Sequence, residues 1–159
     1  MPAFALPVVG DTVSITPARL RGAPAVIALW STHCPFQVHA MAAFDSLARE
    51  FAPRGVRFVV LADDASGPVL DSVLAAASWR PAADLVGVAR GTLAGIFDHT
   101  TAAPKDGRYR IDFVLPSFLF IDAEGRIVRR AFGAAREVFQ PALDSLVGPS
   151  VSGVGSPAT

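Results

Sequence analysis

The sequence contains a single cysteine, Cys34, among its 159 residues. One cysteine excludes an internal disulfide bond. No run of about 18 or more apolar residues occurs, so no segment is expected to span a bilayer. The first ten residues lack the basic start and the long apolar stretch of a signal peptide. We therefore expect a cytoplasmic protein, or a periplasmic one if the natural N terminus lies further upstream.

An excess of charge of either sign is also missing. The chain carries 14 basic and 14 acidic residues, and charged residues make up only 18% of it. Such a chain has no electrostatic surface for nucleic acid or for an anionic membrane. The one small basic cluster, Arg126, Arg129 and Arg130, is interpreted as the solvated face of a strand. The chain is 52% apolar, which suits one domain with a buried core.

The first half of the chain predicts a hairpin followed by a strand–helix–strand unit. Residues Phe4–Pro17 alternate between apolar and polar around Gly10-Asp11, as in a short hairpin. Two continuous apolar runs, Ala25–Trp30 and Val56–Ala62, are typical of strands that are buried on both faces. Between them, apolar residues from Phe36 to Phe51 recur at helical spacing. This order predicts parallel pairing of the two strands through a right-handed crossover.

The second half predicts less regular elements and then a second hairpin. The weaker elements are, in order, a helix over Val69–Ala77 capped by Asp64 or Ser66, a strand over Leu85–Val88, a helical turn over Thr92–Phe97 and a loop over Thr100–Arg110. Two strands, Phe118–Ile121 and Arg126–Phe132, flank a four-residue turn that ends in glycine, which predicts an antiparallel hairpin. A closing helix over Glu137–Val147 completes one domain, 1–147, and residues 148–159 are expected to form a disordered tail.

Two motifs in this order resemble those of a known superfamily. Residues Trp30 to Pro35 read W-x-x-x-C-P between the first core strand and its helix, and the later stretch FVLPSFLFIDAEGRIVRRAFG is similar to G-[VI]-P-T-x-F-x-I-D-x-x-G-x-I. The chain resembles the thioredoxin superfamily, and more narrowly its TlpA/ResA-like and AhpC/TSA redoxin branch. The resemblance implies an α/β thioredoxin fold: a central mixed β-sheet flanked by helices, with an N-terminal hairpin extension. It also implies that Cys34 is the reactive thiol and that Pro116 follows a cis peptide bond and faces that thiol.

The sequence departs from this branch at the second cysteine. The branch reads C-P-x-C followed closely by glutamate and proline, and here Gln37, Ala40 and Ala42 stand at those three positions. A dithiol reductase needs the second thiol to attack the mixed disulfide and release the product. We therefore expect a single-cysteine thiol–disulfide exchange or redox-sensing domain, in which an external thiol completes the cycle. No organic cofactor and no metal are implied.

The candidate site centres on Cys34, with Pro116 shaping the groove for a partner. A helix that begins at Pro35 would leave free N–H groups that favour the Cys34 thiolate. The residues expected to line the site are Trp30, Ser31, His33, Pro35, Phe36, Gln37 and Leu115. His33 either helps to stabilise the thiolate when it is protonated or faces solvent. The implied partner is a thiol or disulfide protein or a small thiol of the glutathione type, and the oligomeric state stays open.

A thiol peroxidase is one alternative for Cys34. Peroxiredoxins carry the motif P-x-x-x-T-x-x-C, and here Ile27 and Ser31 stand at the proline and threonine positions. Their transition-state arginine lies just before the later strand, at a place that Leu115 and Pro116 occupy in this chain. Serine is a tolerable substitute for threonine, whereas the other two differences count against a peroxidase.

Copper binding and a redox-inactive scaffold also stay open for this domain. The run Thr32 to Pro35 matches the start of the Sco-type motif T-H-C-P-x-x-C-P, but Val38 stands at the second thiolate, and His39 and His99 are lone histidines. As a scaffold, the domain would only bind a partner, and Cys34 would be a small semi-buried side chain. The pair Asp63-Asp64 is interpreted as turn or cap residues.

Overall fold

A five-stranded mixed β-sheet lies at the centre of the protein, whose structure is a computed structural model. It describes residues 1–33, 37–64, 66–76, 80–97, 115–132 and 136–148, with the backbone alone at 37–40. The strands are β1 Leu6–Pro7, β2 Ser14–Ile15, β3 Ala25–Trp30, β4 Arg57–Ala62, β5 Leu85–Val88, β6 Ser117–Ile121 and β7 Ile127–Phe132. The central sheet has the order β5-β4-β3-β6-β7. Neighbours β3, β4 and β5 pair in parallel, and β6 pairs antiparallel with both β3 and β7.

In the part of the chain that the structure describes, four helices flank this sheet, as the sequence predicts for an α/β fold. They are α1 Gln37–Phe51, α2 Gly67–Ala76, α3 Leu93–Phe97 and α4 Arg136–Val147. After α1, a short 3-10 turn ends at Gly55, whose φ of 86° is the left-handed conformation that glycine adopts without steric cost. Buried side chains of α1, α2 and α4 belong to one apolar cluster, and those of α3 belong to a second cluster.

Strand β3 divides these two clusters, which explains its continuous apolar run. All six of its residues are buried. Because successive side chains of a strand point to opposite faces, Val26, Ala28 and Trp30 enter the first cluster. Their neighbours, Ala25, Ile27 and Leu29, enter the second cluster. A strand with both faces covered needs no polar alternation, as in other buried strands of parallel sheets.

The N-terminal hairpin extension is also present. Strands β1 and β2 pair antiparallel, and the next residue, Val8, forms an isolated bridge with Gly87 of β5. At Gly87 a Cβ atom would lie 2.8 Å from the Cδ1 atom of Ile15. This position therefore has no room for a side chain, and the hairpin packs closely against the β5 edge.

The antiparallel hairpin of β6 and β7 is confirmed, but the interpretation of its basic cluster is wrong for one member. Arg126 and Arg129 are exposed, as expected, whereas Arg130 is half-buried. Its guanidinium donates hydrogen bonds to the backbone oxygen of Phe97 at 3.4 Å and to the Ser117 hydroxyl at 3.2 Å. Because these partners come from α3 and β6, Arg130 ties three elements together. It does not form part of a solvated face.

Two further predictions fall outside the described residues. These are the loop over Thr100–Arg110 and the tail from residue 149 onward. The domain boundary at residue 147 therefore stays a prediction. The described helices include none that is both long enough and apolar enough to cross a bilayer.

Candidate functional site

The segment before Cys34 lies at the carboxyl end of the parallel strands. Ser31, Thr32 and His33 follow β3, and Asp63 and Asp64 follow the neighbouring strand β4. The Asp63 N–H donates to the Trp30 carbonyl oxygen at 2.7 Å, so the two loops leave the sheet side by side. Ligand sites of open α/β sheets collect at this end of the strands.

The carboxylate of Asp64 holds the β3 loop. The Asp64 side chain is fully buried. It accepts hydrogen bonds from the Thr32 N–H, which lies 3.3 and 3.2 Å from its two oxygens, and from the Thr32 hydroxyl. A buried carboxylate is costly unless such donors satisfy it. We call this arrangement of Asp64 and Thr32 the Asp64 anchor.

The cap role expected for Asp64 is therefore wrong. Ser66 takes that role, because its hydroxyl accepts from the Val69 N–H at 3.4 Å in the first turn of α2. Asp63 has a cap role instead of a turn role, because its carboxylate accepts from the Leu93 N–H at 3.2 Å where α3 begins. Asp64 is a site residue that the sequence motifs do not single out. An acidic pair directly after a buried parallel strand is the signal that points to it.

His33 is fixed at one edge of its ring. Its Nδ1 atom lies 3.2 Å from the Ser31 hydroxyl oxygen and 3.5 Å from Oδ1 of Asp64. The His33 N–H also donates to the Ser31 hydroxyl oxygen at 3.2 Å. The rest of the side chain is open, since 76% of its surface is exposed. The ring therefore faces solvent, which is one of the two outcomes expected from the sequence, and its Nδ1 edge lies near a carboxylate. Stabilisation of the Cys34 thiolate by His33 stays a prediction.

The turn that contains Pro116 reaches the same end of the sheet. The peptide bond between Leu115 and Pro116 is cis. Leu29 of β3 pairs with Ser117 of β6 in antiparallel register, so one further step places Pro116 across from Trp30. Pro116 is buried, and Leu115 is half-buried.

Five of the residues expected from the sequence are described, and they lie at the carboxyl end of β3 or in the turn across from it. They are Trp30, Ser31, His33, Leu115 and Pro116. Three others, Cys34, Pro35 and Phe36, lie outside the described residues, and at Gln37 only the backbone is described. Among the described residues, no group of three or more histidine, cysteine, aspartate or glutamate side chains is placed to hold a metal ion.

Comparison with known proteins identifies the fold. No protein-family model matches the sequence, and no curated protein does. A candidate thiol:disulfide interchange protein, DsbE, from Chlorobium tepidum matches with a TM-score of 0.72 and 15% identity, over 92% of this chain and 94% of its own. A thioredoxin family thiol:disulfide interchange protein from Chlorobium tepidum TLS gives a TM-score of 0.68 and 19% identity over the same shares, 92% and 94%.

A third solved structure is a secreted Mycobacterium tuberculosis disulfide oxidoreductase homologous to Escherichia coli DsbE. It matches with a TM-score of 0.61 and 17% identity, over 91% of this chain and 96% of its own.

The cytoplasmic location expected from the sequence has no support among these neighbours. The redoxin branch and the single-cysteine mechanism stay predictions. The α/β architecture expected from the sequence is confirmed, and the chain has the thioredoxin fold.

Proposed function

We propose that this protein is a single-cysteine thiol–disulfide exchange or redox-sensing protein in which Cys34 is the nucleophile. The observation that carries the proposal is the Asp64 anchor, which fixes the residues directly before Cys34 at the carboxyl end of β3. Using a fully buried carboxylate to hold one short loop is costly. We interpret this free-energy cost as a sign that the geometry of the loop is needed for a chemical step. The solved structures with this fold include proteins described as thiol:disulfide interchange proteins.

The position of Cys34 in the chain favours its thiolate. Helix α1 is described from Gln37 and runs for 15 residues, and Cys34 stands three residues before that point. The first N–H groups of a helix have no partner within the helix, and they stabilise a nearby negative charge. Thiols in such places have a pKa below the ordinary value of about 8.5, which raises the reactive fraction at neutral pH.

The proposed reaction has two exchange steps. The Cys34 thiolate attacks one sulfur of a disulfide R–S–S–R′, forms the mixed disulfide Cys34–S–S–R and releases R′–S⁻. Gln37 stands where the resolving cysteine is expected, and the chain has no other cysteine. The mixed disulfide therefore persists until an external thiol attacks it and returns the Cys34 thiolate. No organic cofactor takes part.

The Leu115–Pro116 turn is the proposed contact for the substrate. An extended segment of a thiol or disulfide protein would dock beside this turn, which the register of β3 and β6 places across from Trp30. A small thiol of the glutathione type is the proposed partner of the second step. We include an exported location in the proposal, because one neighbour with this fold is described as secreted.

The rate of Cys34 alkylation as a function of pH tests the proposal. We expect a pKa clearly below about 8.5 and a stable mixed disulfide with oxidised glutathione, detected as a mass increase of the intact protein. The Cys34→Ser variant should show neither. A slow reaction with an unshifted pKa would favour the redox-inactive scaffold. A measurable Cys34-dependent rate of peroxide consumption would favour a peroxidase.

A further inference from the structure

We infer that His33 is the proton acceptor for the external thiol that resolves the Cys34 mixed disulfide, and that Asp64 and Ser31 are positioning residues for its ring. The inference rests on the proposed function and assigns the step that a second cysteine performs in dithiol enzymes. Here the attacking thiol comes from solution, and it must lose a proton before it attacks.

The geometry around His33 points to this role. Ser31 and Asp64 both face the Nδ1 atom, at 3.2 and 3.5 Å. These contacts set the ring orientation, and they leave the Nε2 edge on the exposed part of a side chain that is 76% open to solvent. Cys34 is the next residue in the chain. The sequence therefore places this oriented imidazole directly before the proposed nucleophile.

Asp64 is the charged group that contacts the His33 ring. Asp64 is fully buried, and its two hydrogen-bond donors from Thr32 are electrically neutral. The Asp64 anchor therefore contains no cation, and the carboxylate faces the ring. Asp63 is turned toward α3, where it accepts from the Leu93 N–H. Arg130 reaches this end of the sheet from β7 through its hydrogen bond to Ser117.

The step balances as a proton transfer coupled to disulfide exchange. The external thiol R″SH gives its proton to Nε2 of His33, and R″S⁻ attacks the sulfur of R in Cys34–S–S–R. The R–S–S–R″ disulfide forms, and the bond to Cys34 breaks with its electron pair on the Cys34 sulfur. The imidazolium then passes its proton to that thiolate or to water. No net oxidation or reduction occurs.

The size of the effect is limited by the thiol itself. A thiol with a pKa of about 8.5 is about 3% ionised at pH 7, so base assistance gains at most about thirtyfold. At pH 9.5 about nine-tenths of this thiol is already ionised, and the gain disappears. A loss of rate that is present at pH 7 and absent at pH 9.5 is therefore the signature of the proposed base.

The test measures the two exchange steps separately. First, formation of the Cys34–glutathione mixed disulfide from oxidised glutathione is followed by mass spectrometry for the wild type and His33→Gln. Then the same adduct, prepared with an activated glutathione disulfide, is resolved by excess reduced glutathione at pH 7 and pH 9.5. We expect His33→Gln to slow resolution about tenfold at pH 7 and by less than about twofold at pH 9.5. Imidazole in the buffer should restore the rate of His33→Ala.

The positioning role of Asp64 is tested with Asp64→Asn, which should slow resolution at pH 7 in the same direction as His33→Gln. The matched control is Asp71→Asn, which changes an exposed carboxylate on α2 that pairs with Arg80. It should leave both steps unchanged. Formation without a His33 effect on resolution would overturn the inference and leave the proposed function intact. A loss of equal size at both pH values would also overturn it. If the wild type forms no mixed disulfide at all, the proposed function and the inference both fall.

Discussion

Two aspartates that follow strands of the central sheet each hold a loop by accepting a hydrogen bond from a backbone N–H group. Their partners lie at very different distances along the sequence. Asp64 lies beyond the carboxyl end of β4, and Asp122 directly follows β6, where Ile121 pairs with Ala25 at the opposite end of β3. Each carboxylate accepts backbone N–H groups and shapes a loop. Asp122 accepts from the Arg126 N–H four residues away, at 2.8 Å. Asp64 reaches Thr32, which is 32 residues away.

Their surroundings differ as well. Asp122 meets the exposed Arg126 guanidinium at 2.8 Å, in contact with solvent. Asp64 is sealed from solvent and faces an imidazole. One carboxylate therefore stabilises its own turn, and the other joins two loops at the candidate site. The Asp122 contact stabilises a local turn, whereas the long-range Asp64 contact fixes the geometry of a loop at the candidate site.

The largest effect is expected from removal of the Asp64 carboxylate. Asp64→Ala leaves the Thr32 N–H and hydroxyl without their acceptor, which should lower the free energy of unfolding by about 2 to 3 kcal/mol. Urea denaturation measures this loss. The control Asp71→Ala removes an exposed carboxylate and should change the free energy by less than about 0.5 kcal/mol. Equal effects of the two variants would mean that burial of Asp64 has no energetic importance.

A smaller loss is expected when only the hydroxyl donor is removed. Thr32→Val keeps the side-chain shape and the backbone N–H bond to Asp64, so the free energy of unfolding should fall by about 1 to 2 kcal/mol. Its control is Thr12→Val, in the exposed turn of the N-terminal hairpin. The effects of Thr32→Val and Asp64→Ala should not add, because both remove the same contact. Strict additivity in the double variant would contradict the anchor.

The smallest change in the free energy of unfolding is expected for substitution of Asp122, and this change depends on pH. The Arg126 backbone N–H, helped by the Arg126 side chain, lowers the pKa of the Asp122 carboxyl below its ordinary value. A lowered pKa in the folded state contributes stability above the unfolded-state pKa of about 3.9, and this contribution is lost as pH falls through the folded-state value. Asp122→Asn should therefore be slightly less stable than the wild type at pH 6, and the difference should vanish in acid.

Thermal unfolding at pH 6 and at successively lower pH values measures this difference. Added salt should reduce it, because the side-chain part of the interaction is exposed. A difference that grows in acid would contradict the sign of the pKa shift. A difference larger than that of Asp64→Ala at neutral pH would reverse the comparison between the two carboxylates.

The same contrast explains how much of the fold is readable from the sequence. The strand Leu85–Val88 has the bounds that its apolar run predicts, and so has the core strand Ala25–Trp30. The turn of β6 and β7 is also predictable, because its contacts lie within a few residues of each other. Patterns of local spacing carry this information directly.

The wrong expectations concern side chains whose partners are distant in sequence. Local spacing assigns Asp64 to a nearby helix, but its partner Thr32 precedes it by 32 residues and is brought to it by the pairing of β3 and β4. Local spacing likewise assigns Arg130 to solvent, but its partner Phe97 comes from α3. A local pattern can mark Asp64 as a residue at the strand end, but it does not identify the distant partner. These contacts depend on which strands become neighbours.

The central claim is that Cys34 forms a mixed disulfide that the chain cannot resolve by itself. Intact-protein mass spectrometry after incubation with oxidised glutathione tests it directly. We predict one glutathionyl group on Cys34 that persists after the reagent is removed and disappears only when reduced glutathione is added. An unmodified Cys34, or an adduct that disappears without added thiol, would contradict the claim.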